Sequence, residues 1–186
     1  MFYIGVVGHR YLANNEVIAF VTEQCSTFLR QAFAERSDLV ALSAIAEGAD
    51  TIFAEAALSL GIPLKIVRPF DGYAADFETP TARQRYEKLR AAAKSEERLA
   101  FRTRSDLAYR AAMDWIIRES DELVIVWNGR AAGAGAIGAT GAAVEQLSKL
   151  ERSWLYLDVV NFDVTFHQAH TNKKDKVKGN GKSSGY

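Results

Sequence analysis

A single cysteine, Cys25, occurs in the 186 residues, which excludes an intramolecular disulfide framework and suits a reducing compartment. Neither charge is in surplus, because 23 basic residues cancel 23 acidic ones. A chain without a global field does not recruit nucleic acid or an anionic membrane, so neither is an expected partner. No apolar run approaches the roughly 18 residues that a membrane span needs. The opening MFYIGVVGHR lacks the basic start and small-residue cleavage site of a signal peptide. A soluble, cytoplasmic domain is expected. Histidine is scarce as well, and His9, His167 and His170 form no convincing metal set. Neither a metal nor a cofactor is expected.

What remains is ordinary globular composition, 48% apolar and 25% charged, over the length of one domain. The neutral total hides two unlike parts. Residues 172–186 hold five Lys against one Asp and read as a basic, disordered tail. The domain is therefore 1–171, with 18 basic and 22 acidic residues in the body before the tail.

Apolar runs of strand length alternate with segments of helical period, the pattern of a parallel sheet covered on both faces. The fold class is α/β: a Rossmann-like three-layer sandwich with a mainly parallel sheet of about five to seven strands. Strands are predicted over 2–7, 39–44, 64–67, 123–127 and 154–160, with 164–166 as an extension of the sheet. Helices are predicted after Asn14 or Asn15, around Ile52 to Leu60, over 106–119 and over 142–150. Residues 81–101, rich in Ala, Arg, Lys and Glu, read as one surface helix. Between 71 and 80 no period is visible, and a loop or lid is predicted.

In such a sheet ligands bind beyond the carboxyl ends of the strands, where loops meet helix N-termini. Four of those ends carry polar or glycine-rich residues. Gly8-His9-Arg10 follows the first strand. Arg10 either forks two hydrogen bonds onto a phosphate or pairs with a nearby acid, and His9 either touches ligand or fixes the loop. Ser43 through Asp50 brings a hydroxyl, the Glu47 carboxylate and Gly48 to a helix mouth, where either Glu47 accepts ribose hydroxyls and backbone N–H groups near Gly48 hold an anion, or Glu47 or Asp50 caps the helix. Tyr73, Asp76 and Phe77 could close over a base by stacking and hydrogen bonding. Asn128 turns out of the fourth strand. Beyond it Gly138, Thr140 and Gly141 bring a glycine-rich backbone to a helix N-terminus, a cradle for phosphate. No Lys follows the last glycine, so this is not a Walker A loop.

The stretches GVVGHRYL, SAIAEGADTIFAEAAL, RPFDGYAADF and SDELVIVWNG with GATGAAVEQ, in that order over residues 2–160, resemble the SLOG superfamily. It groups Smf/DprA DNA-processing proteins with Lonely Guy proteins. The resemblance implies a Rossmann-like sheet and a nucleotide-derived ligand. Some members cleave nucleoside monophosphates at the N-glycosidic bond, and others sense nucleotide signals in bacterial defence or stress, beside an effector protein. The hydrolytic members carry PGGxGTxxE, whose Glu serves catalysis. Here the position three after Thr140 is Ala143, and Glu145 points about 200° away around a helix. Hydrolysis would need Glu47 from another loop, so no firm catalytic residue is assigned. The expectation is a homo-oligomeric module, a dimer, that binds a nucleotide-derived small molecule and acts with an effector. A phosphoribohydrolase is the alternative, and a DNA-handling protein the weaker third.

Overall fold

The computed structural model describes residues 1–129 and 152–169. The Gly138–Gly141 cradle, the helix predicted over 142–150, His170 and the basic tail lie outside them. Seven strands form one sheet: β1 (Phe2–Gly8), β2 (Leu39–Ser43), β3 (Leu64–Arg68), β4 (Ser95–Arg98), β5 (Glu122–Trp127), β6 (Ser153–Asp158) and β7 (Asp163–His167). Their spatial order is β4-β3-β2-β1-β5-β6-β7. All neighbours run parallel except β6 and β7. The predicted α/β Rossmann-like fold is therefore the observed one.

Strands β1, β2, β3 and β5 are apolar on both faces, as a doubly covered parallel sheet requires. Ile4, Val6, Val124 and Val126 face one layer, built from α1 (Asn15–Glu35), α2 (Ala49–Ser59) and α3 (Pro80–Ala92). Val7, Leu42, Val67, Leu123 and Ile125 face the other, where α4 (Asp106–Glu119) lays Met113, Trp115, Ile116 and Ile117 on the sheet. Helix α1 starts at Asn14, whose side chain accepts from the Val17 N–H. Helix α4 ends under the Arg152 guanidinium, which donates to the carbonyls of Ile117, Arg118 and Ser120. A cation there satisfies orphan carbonyls and complements the helix dipole.

Two predicted elements change. The single helix over 81–101 is instead α3 followed by the edge strand β4. The sequence SEER, with Ser95, Glu97 and Arg98 exposed, has the polarity of a guarded sheet edge. The predicted lid is not a lid either. Residues Tyr73–Asp76 form one 3₁₀ turn, and Tyr73 and Phe77 are fully buried, Tyr73 edge-on to Phe70, Phe77 and Tyr86. Both rings belong to the core, so neither is available to stack on a base.

Candidate functional site

The chain steps outward from β1 through β4 on one side, then crosses back to place β5 against the other side of β1. In doubly wound sheets a reversal of this kind marks the crevice that holds ligands, here beyond the carboxyl ends of β1 and β5. The β1 end is tied across it. The His9 N–H donates to the Val126 carbonyl, and the Asn128 N–H donates to His9 Nε2 at 3.1 Å. Nε2 therefore accepts, and the ring proton belongs on Nδ1. Of the two roles open to His9, the geometry gives it the fixing of the loop.

Gly8 lies against Ala49 and Val126, where a Cβ would come within 2.5 and 2.8 Å of theirs. Gly48 has φ +85°, and a Cβ on it would lie 2.3 Å from the Arg10 carbonyl oxygen and 2.4 Å from that of His9. Glycine is required there both for conformation and for space. The close approach is to the chain's own backbone, and the adjacent Ala49 N–H donates to the His9 carbonyl. The anion cradle predicted near Gly48 is thus occupied by the β1–α1 loop. Ser43 is buried as well: its hydroxyl donates to the Asp50 carbonyl and accepts from the Ile45 N–H. That bracket holds Ile45 at φ +47°, a conformation a β-branched residue rarely adopts. The predicted contact of Ser43 with a sugar gives way to this internal role.

Arg10 settles on the acid pairing. Its guanidinium donates to Asp76 Oδ2 at 3.1 Å and to the Asp76 carbonyl at 2.7 Å. Asp76 is almost fully buried, and Arg104 and the Tyr109 hydroxyl converge on the same carboxylate. Burial pulls the Arg10 pKa down, but the hydrogen bond it donates to Asp76 and neighbouring charges outweigh it and leave it raised. Arg10 Nε is buried without a hydrogen-bond partner among the described residues. Glu47 stands at the crevice mouth, 3.8 Å from Arg10. Exposed Tyr11, its ring 6.0 Å from the Arg10 guanidinium, and exposed Arg104 border this buried lock, with Arg102 beside them in sequence and also exposed.

Asp50, predicted only as a helix cap, is the group whose chemistry was least visible. It is buried at the start of α2, and burial pushes its carboxyl pKa up to about 7, against the pull of backbone hydrogen bonds from Ala46 and Ala44 and of the Arg10 charge. Tyr109 and Arg104 were missed too. Their approach to Asp76 depends on how α4 lies against the 3₁₀ turn.

Neither a family model nor a curated protein matches the chain. Solved structures do. DNA processing protein A (DprA) of Streptococcus pneumoniae aligns with a TM-score of 0.57 at 15% identity, over 83% of this chain. The fold is that of DprA. A second DprA, from Helicobacter pylori, aligns with a TM-score of 0.56 at 18% identity, over 86% of this chain and 70% of its own. The chain spans half the length of the pneumococcal protein. The resemblance to the SLOG superfamily thus holds at the level of fold. The expectation that nucleic acid is not a partner is corrected by the same finding. The H. pylori protein is described by its single-stranded DNA binding mode, so a net charge of zero is no ground for excluding nucleic acid. The sum over a chain says nothing of a local cationic rim such as Arg102 and Arg104.

Proposed function

We propose that this domain is a binding module for a nucleotidic ligand, seated at the carboxyl edge of the sheet beside the β1–β5 crevice. The observation that carries this reading is the exposed rim of Tyr11 and Arg104 over the Arg10–Asp76 lock. An exposed ring and exposed cations suit stacking on a base and pairing with phosphate, the two sequence-tolerant contacts of single-strand binding. The proposal also takes Gly138, Thr140 and Gly141 as a phosphate cradle after β5, and Asn128 and Glu47 as polar contacts at the crevice mouth. A sensing role belongs to the same proposal, since Arg104 would carry occupancy of the rim to the buried Asp76.

The single-stranded DNA described for the H. pylori relative gives the reading a specific polymer to test. Anisotropy of a labelled 15-nucleotide thymidylate strand would be titrated with the chain, then competed with AMP, GMP, CMP and UMP. Saturable binding by either class, weakened about tenfold by Tyr11→Ala and by Arg104→Ala, is the expected result. Competition decides between strand and mononucleotide. Affinity unchanged in both variants would place the ligand elsewhere.

A further inference from the structure

Beneath the crevice lies a carboxyl that neither the Arg10–Asp76 lock nor the exposed rim uses. Asp50 is 7% exposed in the first turn of α2, and its side chain accepts from the Ala44 and Ala46 N–H groups. Its main-chain carbonyl takes the Ser43 hydroxyl, whose oxygen in turn holds the Ile45 N–H. The next residue adds two ties: the Thr51 N–H donates to the Ala46 carbonyl, and its hydroxyl to that of Gly48. Asp50 and Thr51 thus pin the whole β2–α2 loop, including Ile45 at its positive φ. That loop abuts the β1–α1 loop backbone to backbone, through Gly48 and the bond from the Ala49 N–H to the His9 carbonyl.

Burial raises the Asp50 pKa to about 7, against the two amides and the Arg10 charge, so both charge states occur near neutrality. The ionisable groups around it are few. Tyr73 of the 3₁₀ turn is coupled to Asp50 and to Arg10, and burial holds its hydroxyl protonated. Cys25 is the ionisable group on the buried face of α1, and burial pushes its thiol up to about 12. From α3, Tyr86 is buried and Arg85 is engaged by Glu55, farther along α2. The strands turn apolar side chains and Ser43 to this layer, and Arg68 at the end of β3 is paired with Glu96. In the two loops, Glu47 stands 3.8 Å from Arg10, and His9 accepts from the Asn128 N–H.

Two unmet needs face each other across these loops. A neutral carboxyl is satisfied by two amides, whereas an ionised one held out of water requires further donors. Arg10 Nε is buried without a hydrogen-bond partner among the described residues, while its Nη atoms hold Asp76. We infer that Asp50 is a proton-operated latch: neutral, it leaves Arg10 to Asp76, and ionised, it takes the Arg10 Nε–H and draws the β1–α1 loop onto α2. The abutting loops are the two-state element that the proton biases. The latch stands apart from the ligand-binding reading, and no ligand enters its test.

NMR of the free, labelled full chain between about pH 5 and 9 follows the Asp50 carboxyl carbon, the Arg10 Nε–H and the amides of 9–12 and 44–48. All should report one midpoint near 7, with the Nε–H moving downfield as the new hydrogen bond forms. The His9 ring carbons read that residue's own titration separately. Asp50→Asn should abolish the concerted step and hold Arg10 in its low-pH state. Arg10→Met gives a second reading that does not depend on that variant's folding: without the cation, the Asp50 midpoint should rise by about one unit or more. An Asp50 midpoint below about 5, an Nε–H indifferent to pH, or loop shifts that persist in Asp50→Asn would overturn the inference. So would an unmoved midpoint in Arg10→Met.

Discussion

Replacing Asp76 with alanine removes the carboxylate on which Arg10, Arg104 and Tyr109 converge. The Asp76 side chain is 5% exposed and that of Arg10 22%, so the guanidinium would be left largely out of water without its carboxylate, keeping only the backbone carbonyl at position 76. Breaking a buried pair from one side costs about 3–5 kcal/mol. Water reaches part of Arg10, which brings the expected loss to about 3 kcal/mol. The exposed Arg104 contributes little, as surface pairs do. For a domain of this size, a loss of that order lowers the melting temperature by about 6–12 °C. Urea unfolding of Asp76→Ala, Arg10→Met and the double variant measures it. The two single changes should each destabilise, and the double should cost far less than their sum, because each removes the same interaction. A loss under about 1 kcal/mol for Asp76→Ala, or simple additivity, would refute the lock.

Three further outcomes follow from the same geometry. Asp50 has its folded pKa raised from 3.8 to about 7, so the native state binds the extra proton. Its contribution is present below about pH 4 and lost as pH rises towards 7, on the order of 4 kcal/mol at about 1.4 kcal/mol per unit; urea midpoints across that range should flatten in Asp50→Asn. Gly48→Ala combines a positive φ with a Cβ inside contact distance of two carbonyls, and should cost about 3 kcal/mol or more by thermal melting. Ser43→Ala strands the buried Ile45 N–H and removes a second bond to the Asp50 carbonyl, and should cost about 1–3 kcal/mol in the same assay.

How much of this was legible in the sequence depended on what each segment buries. Strands β1, β2, β3 and β5 announce themselves, because a central parallel strand must be apolar on both faces. Strand β4 did not: an edge strand written Ser-Glu-Glu-Arg carries the charges that keep it unpaired, and those charges read as the outer face of a helix. The site was legible as a place and not as a set of contacts. The ends of β1, β2 and β5 marked the crevice, but Arg10 meets an acid 66 residues away, a distance that spacing cannot bridge. Gly48 was read only as a place where backbone N–H groups could hold an anion, and its need for close approach was not visible in the sequence. What approaches it is the backbone of His9 and Arg10. Asp50 stayed hidden because a helix-cap acid is ordinarily solvated, and only the packing of α2 against β1 and β2 shows this one sealed.

Amide chemical-shift mapping of the labelled chain, titrated with an eight-nucleotide thymidylate strand and separately with AMP, tests the central claim most directly. The account predicts that one of the two moves a contiguous set at the carboxyl edge: His9 to Leu12, Gly72 to Phe77, Arg102 to Arg104 and Asn128. Shifts confined to α3 or the β6–β7 edge, or none from either probe at millimolar concentration, would contradict it.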